Sequence, residues 1–181
     1  MIVENGGTPV YLSSVDVDPY IDELIRLSNT RIMVSSNRYE DINVEPQHEN
    51  ILTFDSLAGL HEQVLHHLNQ YAKQVMKEDL QFEVKKSWTI AMVKGVPLKP
   101  HTHALSTLSG CLYWENSDVP LYVKSADPNK PLYRSFPQKG KIVLFPSSAI
   151  HWVGVNTHDK HRTSLAFDGM IPTLQLSKFD K

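Results

Sequence analysis

His101 and His103 stand one residue apart in "PHTHALSTLSGCLYWE", and they are the pair in this chain best suited to metal chemistry. Side chains alternate along an extended strand, so the two imidazoles point the same way at a strand entrance while Thr102 points the other. Two neutral nitrogen donors then converge on one point. His151, at the end of "GKIVLFPSSAIH", adds a third imidazole after an apolar strand and a Pro-containing bend. The chain has 9 histidines, so such spacings also arise by chance, and an exposed strand pair is the plain alternative for "HTH".

Arg162 and Ser164 share a face of the strand "RTSLAF" by the same period of two. A guanidinium cannot shed its charge, so an arginine on an apolar strand needs an anion. Its planar fork matches a carboxylate in two hydrogen bonds, and a hydroxyl two residues on supplies a third. The ordinary alternative is a salt bridge from Arg162 to Asp168 or Glu115.

The elements that must position these residues change character near residue 80. In "VDVDPYIDELIRLSNT", Asp18 is a candidate N-cap with Pro19 at the first helical position, and Ile21, Leu24, Ile25 and Leu27 follow helical spacing. In "DSLAGLHEQVLHHLNQYAKQVMKED" the apolar residues from Leu57 to Met76 fit a long amphipathic helix. His61, His66 and His67 fall on that helix, mostly on its polar face. From residue 82 onward, short apolar runs alternate with Pro, Gly, Asn and Asp, the pattern of an antiparallel sandwich or barrel. Residues 35–50 are polar and patternless and read as a loop or an irregular edge.

Three segments together, "PHTHALSTLSGCLYWE", "FPQKGKIVLFPSSAIHWVGVN" and "HRTSLAFDG", resemble the Fe(II)- and 2-oxoglutarate-dependent oxygenases. Within them the resemblance is to a small group with HxH followed by SG and an aromatic strand, and to the prolyl hydroxylases. It spans roughly residues 85–169. It implies a double-stranded β-helix, or jelly roll, with iron at its open end. It makes His101 the first iron ligand, His151 the distal histidine, Arg162 the partner of the far carboxylate of 2-oxoglutarate, and Ser164 its hydroxyl partner. Tyr113, beside the site, is a further candidate donor to 2-oxoglutarate.

The chain departs from that pattern at His103, where most such enzymes carry a carboxylate that completes a two-histidine, one-carboxylate face. His103 ligates, or stands aside as a residue orienting His101 or a water, or yields to a nearby acid such as Glu115 or Asp118. Ligation is favoured, because imidazole suits Fe(II). A three-histidine Fe(II) site carries its full charge, which dianionic 2-oxoglutarate neutralises while filling two positions, leaving one for O2.

The resulting expectation is a single α+β domain over residues 1–181. Residues 1–80 form a mainly helical support packed on one sheet, 81–170 a jelly-roll core, and 171–181 a tail. The function expected is a 2-oxoglutarate-dependent iron dioxygenase acting as a hydroxylase on a small-molecule or peptidyl substrate. Catalysis and metal binding fall to His101, His103 and His151, and cosubstrate binding to Arg162, Ser164 and Tyr113. One alternative is a cupin, since "GVPLKPHTH" fits that superfamily's glycine, five residues and HxH. A cupin leaves Arg162 and Ser164 unexplained, and the glutamate usual after its HxH is missing from this chain. Another is a non-catalytic jelly-roll module with structural or zinc-bound histidines.

Composition sets the surroundings. The net charge of −2 gives no electrostatic reason to expect nucleic acid or membrane as a partner. Cys111 is the only cysteine, which fits a reducing compartment and a cytoplasmic location, and it reads as a small buried residue. Trp88, Trp114 and Trp152 read as packing residues, and His158 and His161 as solvated. Oligomeric state is open, a homodimer included. The polar segments 35–50 and 115–135 are candidates to line or cover the site.

Overall fold

The structure, a computed structural model, describes residues 1–36, 38–41 and 49–172. The chain opens with a hairpin of β1 (Ile2–Asn5) and β2 (Thr8–Ser14). Its turn is Gly6-Gly7, at φ 52° and 82°, a backbone region that glycine enters without a Cβ penalty. A 3₁₀ turn over Asp18–Tyr20, with Pro19 in it, leads into α1 (Ile21–Ser28). Asp18 caps nothing with its side chain; Asp16 Oδ1 instead accepts the Asp18 N–H at 3.2 Å. Then come β3 (Arg31–Ser35) and β4 (Arg38–Asp41), so the stretch read as a loop from residue 35 contains a strand. Its residues 42–48 lie outside the described ones, as does most of the expected tail.

The long helix runs as a 3₁₀ turn over Asp55–Leu57, α2 (Ala58–Tyr71) and a π turn over Ala72–Met76. The remaining strands are β5 (Glu83–Met92), β6 (Leu98–His101), β7 (Leu108–Leu112), β8 (Leu121–Val123), β9 (Tyr133–Ser135), β10 (Lys141–Pro146), β11 (His151–Val153) and β12 (Arg162–Met170). They form an eight-stranded sheet in the order β1-β2-β10-β7-β12-β5-β3-β4 and a four-stranded sheet in the order β6-β11-β8-β9. The helices of residues 1–80 are thus accompanied by four strands, two at each edge of the larger sheet. Those strands are short and mixed in polarity, so periodicity does not announce them. Among the described residues no helix is long and apolar enough to cross a membrane.

Alternation along the central strands sorts side chains into two layers. Leu108, Leu112, Ile142, Leu144, Leu165 and Phe167 face α1 and α2, meeting Leu24, Leu27, Leu60, Val64 and Leu68. On the opposite face, Ile90, Cys111, Val143, Phe145 and Ala166 meet Leu98, Leu121, Val123 and Val153 of the smaller sheet. Fully burying one such aliphatic or phenylalanine side chain contributes roughly 2 kcal/mol, so the helix layer braces the larger sheet firmly. The smaller sheet stands off from it enough to leave a cavity between the two.

Candidate metal centre and adjoining pocket

That cavity, of about 490 Å³, is lined by His101, His103 and His151 together with Arg162, Ser164 and Asp168. The smaller sheet supplies two of the three histidines as a cross-strand pair. β11 runs antiparallel to β6 with His151 opposite His101, and the ring centroids lie 4.3 Å apart. His103 arrives differently. β6 ends at His101 and β7 begins only at Leu108, so His103 sits on the connecting loop rather than at a strand entrance. Its backbone N–H donates to the Ser147 carbonyl at 3.0 Å, and its ring centroid is 5.1 Å from that of His101 and 5.0 Å from that of His151. One nitrogen from each ring falls within 4.8 Å of the others, close enough to share an ion.

Hydrogen bonds settle which nitrogens those are. His101 Nδ1 lies 2.8 Å from the Lys99 carbonyl, and His151 Nδ1 lies 2.9 Å from the Ala149 carbonyl. A carbonyl only accepts, so each Nδ1 carries the proton and each Nε2 keeps its lone pair. His103 Nδ1 lies 2.6 Å from Asp168 Oδ1, which gives the third ring the same orientation. Burial lowers the proton affinity of His151 to a pKa of about 3, assisted by the neighbouring His101 and His103 and opposed by the Ala149 carbonyl. Burial also lowers that of His101 against the pull of the Lys99 carbonyl. Neutral imidazoles with aligned lone pairs are the donor set that a divalent transition metal takes.

Arg162 lies deeper in the same cavity, on β12, and is 3% exposed. Neither salt bridge foreseen for it forms: Glu115 pairs with Lys160 at 3.0 Å, and Asp168 with His103. Its Nη1 donates to Ser164 Oγ at 3.0 Å and its Nε to the Val119 carbonyl at 3.4 Å, whereas Nη2 is buried without a hydrogen bond. Ser164 Oγ accepts in that bond, so its own O–H remains to donate. Tyr113 is fully buried, with its ring 5.4 Å from the guanidinium carbon and its hydroxyl also lacking a partner of good geometry. Burial raises the Tyr113 pKa, so the phenol keeps its proton as a donor. A buried cation with an idle N–H beside a hydroxyl is arranged to receive a carboxylate.

Several residues at the site were not picked out from the sequence. Asp168 continues the face of Arg162, Ser164 and Ala166 along β12, and the two-residue period announces it, whereas its charge alone suggests only a partner for Arg162. Trp88, opposite Ala166 on β5, lines the cavity with its ring 5.8 Å from that of His103 rather than serving only as packing. Trp114 is buried core, and Trp152 stacks on Tyr122 at 5.3 Å. Cys111 is buried against the cavity, where burial pushes its thiol up to about 11. Glu115 and Asp118 do not complete the metal set: Asp118 pairs with His158 at 2.7 Å, and both line a separate pocket. His67 leaves the polar face of its helix, since it is buried between the Tyr11 hydroxyl and the Ser14 carbonyl. Of residues 115–135 only Leu121 lines the main cavity, whose mouth includes Arg31, Lys85 and Lys86.

Comparison with known proteins bears on this arrangement. Residues 117–168 match the family described as "Putative 2OG-Fe(II) oxygenase", a segment that contains His151, Arg162, Ser164 and Asp168. No curated protein sequence matches the chain. Among solved structures it is similar to SnoN, a non-heme alpha-ketoglutarate-dependent epimerase from nogalamycin biosynthesis, at 14% identity and TM-score 0.67, covering 92% of this chain and 77% of that one. It is similar to HygX from Streptomyces hygroscopicus with nickel and 2-oxoglutarate bound, at 11% identity and TM-score 0.62, covering 94% and 84%. It is also similar to a Pseudomonas putida prolyl-4-hydroxylase, at 13% identity and TM-score 0.58, covering 90% and 91%. The chain therefore has the mixed α+β, two-sheet fold of these proteins, and over residues 117–168 it resembles the 2OG-Fe(II) oxygenase family.

Proposed function

We propose that the protein is an Fe(II)- and 2-oxoglutarate-dependent dioxygenase, and specifically a hydroxylase. The observation that carries this reading is Arg162, a buried cation without a carboxylate that lines the cavity holding the three imidazoles and whose Nη2 makes no hydrogen bond. A metal-binding jelly roll that used no 2-oxoglutarate, as a cupin would be, has no use for that arginine. Support also comes from the relatives, one of which holds nickel and 2-oxoglutarate and another of which is a prolyl-4-hydroxylase. We read the two facing sheets as the jelly roll of this family and residues 1–181 as one domain.

In this reading the Nε2 atoms of His101, His103 and His151 hold Fe(II). Arg162, with the hydroxyls of Ser164 and Tyr113, holds the far carboxylate of 2-oxoglutarate. The bound iron supplies the redox chemistry by which 2-oxoglutarate, O2 and a C–H bond become succinate, CO2 and an alcohol. The chain's own share is placement and exclusion of water. The Lys99 and Ala149 carbonyls and Asp168 hold the three rings in one tautomer, and Leu98, Leu121, Phe145 and Val153 wall the cavity with apolar surface. The substrate is a small molecule or a peptidyl side chain, entering past Trp88. We assign no nucleic-acid or membrane partner and propose a cytoplasmic enzyme.

Anaerobic purification tests the metal half of this account. The protein binds about one Fe(II), and His151→Ala abolishes that binding. Full metal affinity in that variant would overturn the assignment.

A further inference from the structure

We propose that Asp168 is a positioning residue of the metal centre: through its bond to Nδ1 it fixes His103 as an Nε2 ligand and returns to the site the negative charge that a ligating carboxylate would bring. This inference rests on the metal reading above. His101 and His151 are each oriented by the backbone carbonyl two residues upstream. His103, on the loop between β6 and β7, has no such bond, and its ring is held by a carboxylate from β12. The separation of 2.6 Å is short for an N–H···O bond.

Asp168 is itself held in place. It is 5% exposed, and the same Oδ1 accepts from Ser109 Oγ at 2.8 Å, with Ser109 Oγ 3.0 Å from Ser147 Oγ. Ser147 in turn receives the backbone N–H of His103 on its carbonyl. Ring and backbone of His103 thus lead to one buried polar network that joins β7, the turn after β10 and β12. Asp168 lies outside the group whose ligand atoms converge, so it acts through the ring and not on the metal. A carboxylate behind a metal-bound imidazole fixes the ring's orientation and strengthens the nitrogen as a ligand, and its loss typically lowers metal affinity about 10- to 100-fold.

Two measurements test this. Two-bond proton–nitrogen correlation spectra of the metal-free wild-type protein should show His103 carrying its ring proton at Nδ1, the tautomer that leaves Nε2 for a metal, and metal affinity is the readout that a merely structural Asp168 would not move. Co(II) titration should show Asp168→Asn binding about 10- to 100-fold more weakly than wild type, because the amide is neutral and can turn its NH2 toward the ring. A wild-type His103 protonated at Nε2 would overturn the proposal without any variant having to fold. So would wild-type Co(II) affinity in Asp168→Asn. If wild type bound no Co(II) at all, the metal reading itself would fall, and this inference with it.

Discussion

Arg162 Nη1 donates to Ser164 Oγ at 3.0 Å along one face of β12, and both residues line the cavity that holds the three histidines. Arg162→Ala should leave metal binding intact yet weaken 2-oxoglutarate by at least about a hundredfold, since removing one partner of a desolvated charge pair costs on the order of 3 kcal/mol or more. Arg162→Lys should recover only part, because a point charge cannot reproduce two parallel bonds. Isothermal titration of metal-loaded protein reads both. Wild-type affinity in the two variants would favour a metal protein that uses no 2-oxoglutarate.

His103→Ala should weaken metal binding by roughly tenfold or more. His103→Asp restores the usual pair of histidines and one carboxylate, but it places a second carboxylate beside Asp168 and removes the N–H that Asp168 accepts. Like charges at that distance oppose each other, so His103→Asp should recover little of the loss. Adding Asp168→Asn to His103→Asp should improve metal affinity over the single variant. If the double variant bound more weakly still, repulsion would not be the cause.

The buried histidines make the metal-free protein acid-sensitive. Unfolded, His151 takes up a proton near 6.5, whereas the folded ring resists protonation down to about 3. Between those values the unfolded chain binds more protons, so stability is full above the window and declines as pH falls through it. His101 and His67, also lowered by burial, act in the same direction. Thermal unfolding of wild type should decline more steeply on acidification than that of His151→Gln, which cannot titrate. Parallel declines would show that His151 is not kept neutral by the fold.

Gly110, in the "SG" that follows the histidine loop, faces the helix layer, where an added Cβ would meet the Phe167 ring and approach Leu144 to 2.7 Å. Gly110→Ala should therefore destabilise by about 1–3 kcal/mol, the usual cost of overpacking. A lowered urea midpoint with an unchanged slope would show this, and an unchanged midpoint would mean that Phe167 swings aside freely.

What could be read without the structure follows from the range over which each signal acts. The long helix, the later strands and the shared face of Arg162 and Ser164 are local periodicities, and they are where periodicity puts them. The loop position of His103 was not legible, because "PHTHALSTLSG" holds nothing that marks His101 as the last paired residue. The part played by Asp168 depends on strand register, which sets it opposite Ser109 on β7 and brings it to a histidine 65 residues away. Trp88 reaches the cavity for the same kind of reason, its pairing with Ala166. The strands of the first 41 residues escape because each is short and mixed in polarity, and the two hairpins they form are tied into the sheet only by the distant pairings of β2 with β10 and β3 with β5.

Turnover of 2-oxoglutarate tests the central claim most directly. Wild-type protein loaded with Fe(II) and supplied with O2 and ascorbate should convert 2-oxoglutarate to succinate and CO2, slowly without substrate, when ascorbate supplies the two electrons that reduce the second oxygen atom to water, and faster once a substrate is found. Omitting O2, or substituting Arg162→Ala, should abolish the conversion. Succinate formed at the same rate without O2 or without Arg162, or no succinate at all from protein shown to bind both iron and 2-oxoglutarate, would contradict the account.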